Sequence, residues 1–150
     1  MAERIDIATL VPHQGAMCLW RDVVEHDAAH VRLRTSSHRD PLNPLRSDGR
    51  LRALHLCEYG AQAMAVHGCL LGRDAGVPVR AGMLVALRGV ALHVARIDDL
   101  PGAIEGEATL LANGADSQQY AFRIIHAGTL LAEGRAAVML GAAVAGNIDA

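Results

Sequence analysis

The sequence predicts an α+β fold in which a strongly curved antiparallel sheet wraps around one long helix. Three observations carry this. The segment Leu51 to Leu71 (LRALHLCEYGAQAMAVHGCLL) is long and apolar on nearly every side, the pattern of a helix buried all round. Two segments with strand character precede it, and four follow without another helix. A sheet wrapped around a central helix satisfies that order of elements.

Taken in order, Ile5 to Leu10 forms a short helical turn halted by Pro12. Ala16 to Val24 (AMCLWRDVV) and His30 to Thr35 (HVRLRT) are strands, the second alternating with period two. Ser36 to Arg50 (SSHRDPLNPLRSDGR) is rich in Pro, Asp, Asn and Gly and is a loop. The long helix takes Asp48 as N-cap and Gly72 as its C-terminal glycine, with Ala61, Ala63 and Ala65 permitting close approach. After a Gly/Pro-containing loop from Arg73 to Val79, strands run over Met83–Val94, Ala103–Ala112, Gln118–Ala127 and Thr129–Leu140. Asp98 to Gly102 separates the first two of these; Asn113-Gly114 and Ala127-Gly128 are turns, the latter tight. The tail from Gly141 to Ala150 is rich in small residues and is expected to be loosely ordered. This architecture is called the hotdog fold.

A length of 150 residues, with no repeat, low-complexity tract or linker, predicts one domain. Aromatics make up 3% of the chain, so Leu, Val, Ala and Met must build the core around Trp20, Tyr59, Tyr120 and Phe122. Net charge is −2 and the basic residues, all Arg, form no cluster, which argues against nucleic-acid binding. Cys18, Cys57 and Cys69 show neither paired nor CxxC spacing, as expected of reduced thiols in a cytoplasmic protein. The N-terminus lacks the apolar run of a signal peptide, and no stretch is long enough to span a membrane.

The chemically conspicuous residue is Glu58, a carboxylate in mid-helix among Leu54, Leu56, Cys57 and Ala61, where desolvation is costly. It either faces solvent or an Arg, or it serves a site, because perturbed carboxylates concentrate in active sites. Gln62 follows four residues on, along the same face. Metal readings are weaker. His55-x-x-Glu58 reverses the Glu-x-x-His order of di-iron bundles and occurs once, and His67, His93 and His126 have no ligand spacing. A phosphate loop, a Gly-x-Ser-x-Gly and a nucleotide signature are all lacking, so neither metal nor organic cofactor is expected.

The segment ALHLCEYGAQAMAVHG resembles the central helix of the 3-hydroxyacyl-[acyl-carrier-protein] dehydratases, in which an acidic residue is followed four positions later by Gln. LVPHQGAMCLWRDVV is similar to that family's proline-histidine segment, and YAFRIIHAGTLLAEGRAAVML to its closing hairpin. In combination, PHQGAMCLW, SHRDPLNPLRSDGR, EYGAQAMAVHG and LLAEGRAAVML resemble the dehydratase-like hotdog proteins of aryl-polyene pigment clusters, over roughly residues 5–140. One departure stands out. Where the dehydratases carry their catalytic His in Gly-His-Phe-Pro, this chain has Asn43-Pro44-Leu45, and their Pro-Gly is Arg52-Ala53.

The resemblance implies syn removal of water from a 3-hydroxyacyl thioester on an acyl carrier protein, in fatty-acid or polyene synthesis. Glu58 would be the acid. The base would be His13, His38 or His55, with His13 preferred because Pro12 and the following strand hold it, whereas nothing in the loop restrains His38. Asn43, Ala53, Leu54 and Gln62 would contact substrate, with backbone N–H groups around Arg52 to His55 receiving the thioester carbonyl. The resemblance also implies a homodimer or larger hotdog assembly. Two alternatives stay open: a hotdog thioesterase, and a non-catalytic subunit that supports an active partner.

Overall fold

The structure, a computed structural model, describes residues 5–10, 17–77 and 80–143. Strand β1 (Asp22–His26) forms a hairpin with β2 (His30–Thr35), where Val31, Leu33 and Thr35 alternate into the core. Helix α1 spans Leu56–Ala75 behind a 3-10 turn at Ala53–His55. The remaining strands are β3 (Arg80–Leu92), β4 (Ile104–Asn113), β5 (Ser117–His126) and β6 (Thr129–Ala143).

The sheet order is β1-β2-β4-β5-β6-β3, with every neighbouring pair antiparallel. The chain leaves β2, runs through α1, and lays β3 at the far edge. The meander β4–β5–β6 then fills the gap, so the sheet curves around the helix. Helix α1 lies against β2, β4 and β5. Leu56, Tyr59, Ala63, Met64, Val66 and Leu70 bury against Leu33, Ile104, Tyr120, Phe122 and Ile124, each large side chain worth about 1.5–3 kcal/mol of transfer free energy.

The approach of helix to sheet depends on Gly60, which lies over the Phe122 ring: a Cβ there would sit 2.6 Å from Cδ2. The small residue that matters is thus Gly60, while Ala61 and Ala65 are only half-buried. Cys57, Glu58, Ala61, Ala65, Gly68 and Leu71 form a half-buried stripe along α1. Strand β3 runs as an edge strand that exposes Met83, Leu84, Val85, Leu87 and Val90.

Several boundaries differ from expectation for visible reasons. The strand expected from Ala16 begins at Asp22, because the Leu19 N–H donates to the Gln62 side chain and the Met17 carbonyl accepts from it, in place of a neighbouring strand. Asp48 does not cap the helix. With Gly49 it makes a tight turn at φ 54° and 72°, closed by Ser47–Arg50 backbone bonds. The helix passes Gly72, which is buried, and ends at left-handed Gly76, whose N–H and that of Val77 bond the carbonyls of Arg73 and Gly72. Strand β6 runs three residues beyond Leu140, to Ala143. The tight turn at Ala127-Gly128 forms as expected, with φ 49° and 82°.

Candidate active site

Glu58 stands in the first turn of α1 rather than mid-helix, half-buried, on the stripe that the sheet leaves uncovered. Its neighbour Gln62 is 2% exposed and has its orientation settled by its partners. The Leu19 N–H donates to Gln62 Oε1 at 2.9 Å, so the amide nitrogen faces the other way and donates to the Met17 carbonyl at 2.8 Å and to Glu58 Oε1 at 3.3 Å. One amide therefore joins the carboxylate to the segment that leads back toward His13. In this arrangement the Gln62 amide is committed to protein groups, the Glu58 carboxylate among them.

Behind this pair lies a buried polar network. The Trp20 indole N–H donates to the Tyr59 carbonyl at 2.7 Å, and the two rings meet edge to face at 5.5 Å. Ser37 Oγ donates to the Leu19 carbonyl at 2.7 Å and accepts from the Tyr59 hydroxyl at 2.8 Å. Asn43 is 5% exposed; its amide nitrogen donates to the Ser37 carbonyl and the Tyr59 oxygen, and its oxygen accepts from the Leu45 N–H. Asn43 thus holds the loop to the helix. Burial pushes the Tyr59 hydroxyl's pKa up, so it stays a neutral donor.

The candidate bases are placed very differently. His13 lies outside the described residues. His38, expected in an unrestrained polar loop, is fully buried in the 3-10 turn Ser37–Arg39. The Leu100 carbonyl can only accept, so Nε2 carries the proton and donates to it at 3.0 Å. That leaves Nδ1 an unprotonated acceptor, buried and unpartnered. Burial, reinforced by the nearby His126, Arg39 and Arg46, lowers the His38 pKa despite the Leu100 bond, and the ring is neutral. The loop is closed over it by Arg46, which donates to the His38 and Gly49 carbonyls. His55 is half-buried at the end of the turn that opens α1.

That turn is stitched to the segment after β3. The Ala53 N–H donates to the Ala95 carbonyl at 3.0 Å and the Ile97 N–H to the Leu51 carbonyl at 2.9 Å. Asp98, paired with Arg96, accepts the Leu51 N–H, and that pairing holds its pKa well below the usual carboxylate range. The expected oxyanion donors are thereby partly committed: Ala53 N–H to Ala95, His55 N–H to Arg52. Leu54 is the exposed member of the turn. The Asp98 anchor was not foreseen; only the pairing of residues 95–97 with the helix entrance brings it there. Among the described residues no cluster of His, Cys, Asp and Glu could hold a metal ion, and no helix is long and apolar enough to cross a membrane.

A six-stranded antiparallel sheet curved around one helix, with a carboxylate on the helix's uncovered face, defines a hotdog protein. The chain belongs to the ApeP-like family, described as ApeP dehydratase, whose sequence pattern it matches over residues 5–146. The dehydratase heterocomplex ApeI:P from Xenorhabdus doucetiae superposes with a TM-score of 0.83 at 23% identity, covering 93% of each chain. A hypothetical thioesterase with coenzyme A from Streptococcus pneumoniae superposes at 0.60 with 13% identity, over 82% of this chain and 87% of that one. A putative esterase from Mycobacterium tuberculosis gives 0.60 at 15% identity, over 82% and 92%. Curated proteins give no match.

Proposed function

We propose that this chain removes water from a 3-hydroxyacyl thioester held on an acyl carrier protein, giving the trans-2-enoyl thioester, in the assembly of an aryl-polyene or fatty-acid chain. Its membership of a dehydratase family carries the reading. The base takes the proton from C2, the carboxyl of Glu58 delivers a proton to the departing C3 hydroxyl, and the C2–C3 double bond forms as water leaves. His13 is the proposed base. It is four residues from Met17 along the chain, a reach of at most about 14 Å, and the Met17 carbonyl is bonded to the amide that touches Glu58. The chemistry needs neither metal nor organic cofactor.

Glu58→Gln tests this in the isolated protein with a 3-hydroxyacyl thioester. Turnover is expected to fall by about 10²–10⁴-fold, as when a general acid is removed, at unchanged thermal stability. Near-wild-type turnover would sink the assignment. Release of free acid in place of enoyl thioester would make the protein a thioesterase.

A second reading, a subunit that supports an active partner, is favoured by one observation: the similar Xenorhabdus protein is in a heterocomplex. Either way β3 is the proposed assembly edge, since a long edge strand apolar on both faces is an aggregation hazard unless another strand covers it. The simplest occupant is a second copy, giving the expected homodimer. Turnover by the isolated chain excludes the support role.

A further inference from the structure

Arg88 on β3 and Arg135 on β6 stand directly opposite each other. Arg135 alternates with buried Gly134 and Ala136, so the pair projects from the face of the sheet that points away from α1. Like charges in opposed cross-strand positions repel, and elsewhere on this face the chain avoids that. Arg32 and Arg34 share Glu105, Arg123 meets Glu107, and Glu133 meets His93. Arg88 and Arg135 differ: among the described residues neither makes a hydrogen bond or an ion pair. The amide of Gln119, on β5, is likewise uncommitted.

These three side chains, with Ala136 and Ala137, line a cleft of about 90 Å³. Its geometry is built into the strand: the β3–β6 register shifts just after Arg88, where Gly89 takes φ 58°. Such a bulge bends an edge strand and re-aims the adjoining side chain. A glycine is required there because a Cβ is strained at positive φ.

We propose that this cleft is an oxyanion site that binds a phosphate group. Two guanidinium forks and an amide offer planar, multidentate donation matched to a tetrahedral dianion. A bound phosphate would cancel the Arg88–Arg135 repulsion and tie the edge strand to β6. The site lies on the opposite face of the sheet from Glu58, so it stands whether or not the dehydratase reading does. Free phosphate and the phosphate of a pantetheine arm share this chemistry.

The test is thermal denaturation against inorganic phosphate at constant ionic strength, comparing the intact protein with Arg88→Gln/Arg135→Gln. Both arginines are exposed, and circular dichroism checks that the variant folds. Phosphate also stabilises proteins by exclusion from their surface, an unsaturable effect common to both. The expected result is an additional saturable rise in Tm in the intact protein, weakened at least tenfold in apparent affinity by the double substitution. 4′-Phosphopantetheine binding tenfold tighter than inorganic phosphate, with dephosphorylated pantetheine inert, identifies the arm as the source. Equal binding identifies free phosphate. A rise that never saturates, or one that saturates equally in the variant, overturns the site.

Discussion

Gln62 and Glu58 are joined by a 3.3 Å hydrogen bond in which the amide nitrogen of Gln62, already held by the Met17 carbonyl, donates to the carboxylate. Because the Leu19 N–H holds the amide oxygen, the side chain cannot flip without losing all three bonds. Gln62→Leu should therefore do two things. It leaves the buried Leu19 N–H unpaired, at a cost of about 1–3 kcal/mol, and it removes the amide that helps to orient the Glu58 carboxyl. We expect a lower Tm together with a drop in kcat that exceeds any change in KM. Equal kcat in a variant that has lost stability would show that the amide serves the fold alone.

Acid should destabilise the protein below the ordinary histidine range. His38 and His67 are both buried, and burial lowers the pKa of each from 6.5. His67 donates through Nε2 to the Asp27 carbonyl and accepts at Nδ1 from the Tyr120 hydroxyl, a pattern that only the neutral ring satisfies. Below about pH 6.5 the unfolded chain takes up protons that the folded chain refuses, so stability falls as the pH drops through that window. His30, raised chiefly by its bond to Glu25, opposes this, but it is only half-buried, its partner Glu25 is exposed, and solvent screening keeps its contribution small. Each buried histidine adds at most about 1.4 kcal/mol per pH unit. His67→Gln should flatten the fall in Tm between pH 7.5 and 5.5; parallel profiles would show that His67 does not refuse the proton.

The β3 edge gives a prediction about assembly. Lysine on an edge strand blocks pairing with another chain, and Val85 and Leu87 are exposed at 50% and 39%. Val85→Lys/Leu87→Lys should shift light-scattering mass at micromolar concentration from dimer to monomer, with little loss of secondary structure. A wild-type monomer under the same conditions would remove β3 as an assembly edge.

The element order was legible because a helix apolar all round followed by four strands admits few arrangements, and Glu58 stood out because a carboxylate is costly in such a helix. What stayed hidden depends on register and on contacts distant in sequence. The Gly60–Phe122 approach joins residues on α1 and β5, and Arg88 meets Arg135 only because bulges shift β3 along β6. His38 looked solvated because its loop is polar, yet those polar residues are the ones that bury it: Ser37 and Asn43 bond inward to Tyr59, and Arg46 closes over the top. Composition reports how polar a loop is, and not whether its hydrogen bonds point in or out.

The choice of base is decided by comparing His13→Ala, His38→Ala and His55→Ala in one hydration–dehydration assay with Tm measured alongside. Removing a general base costs about 10²–10⁴-fold in rate, and a residue exposed to substrate can be removed without unfolding the protein. His13→Ala is expected to show that rate loss at unchanged Tm. His38→Ala is expected to show the reverse. Its ring is fully buried and bonded to the Leu100 carbonyl, so truncation opens a cavity and strands an acceptor, at about 2–4 kcal/mol, while leaving the rate of the folded fraction near normal. His55 is half-buried beside the carboxylate's turn, and its loss should change KM more than kcat. A large rate loss at unchanged Tm for His38→Ala would reverse the assignment. It would mean that the unpartnered Nδ1, neutral and desolvated, becomes accessible when substrate binds. Rates unaffected in all three folded variants would leave Glu58 without a histidine base and would favour the supporting-subunit reading.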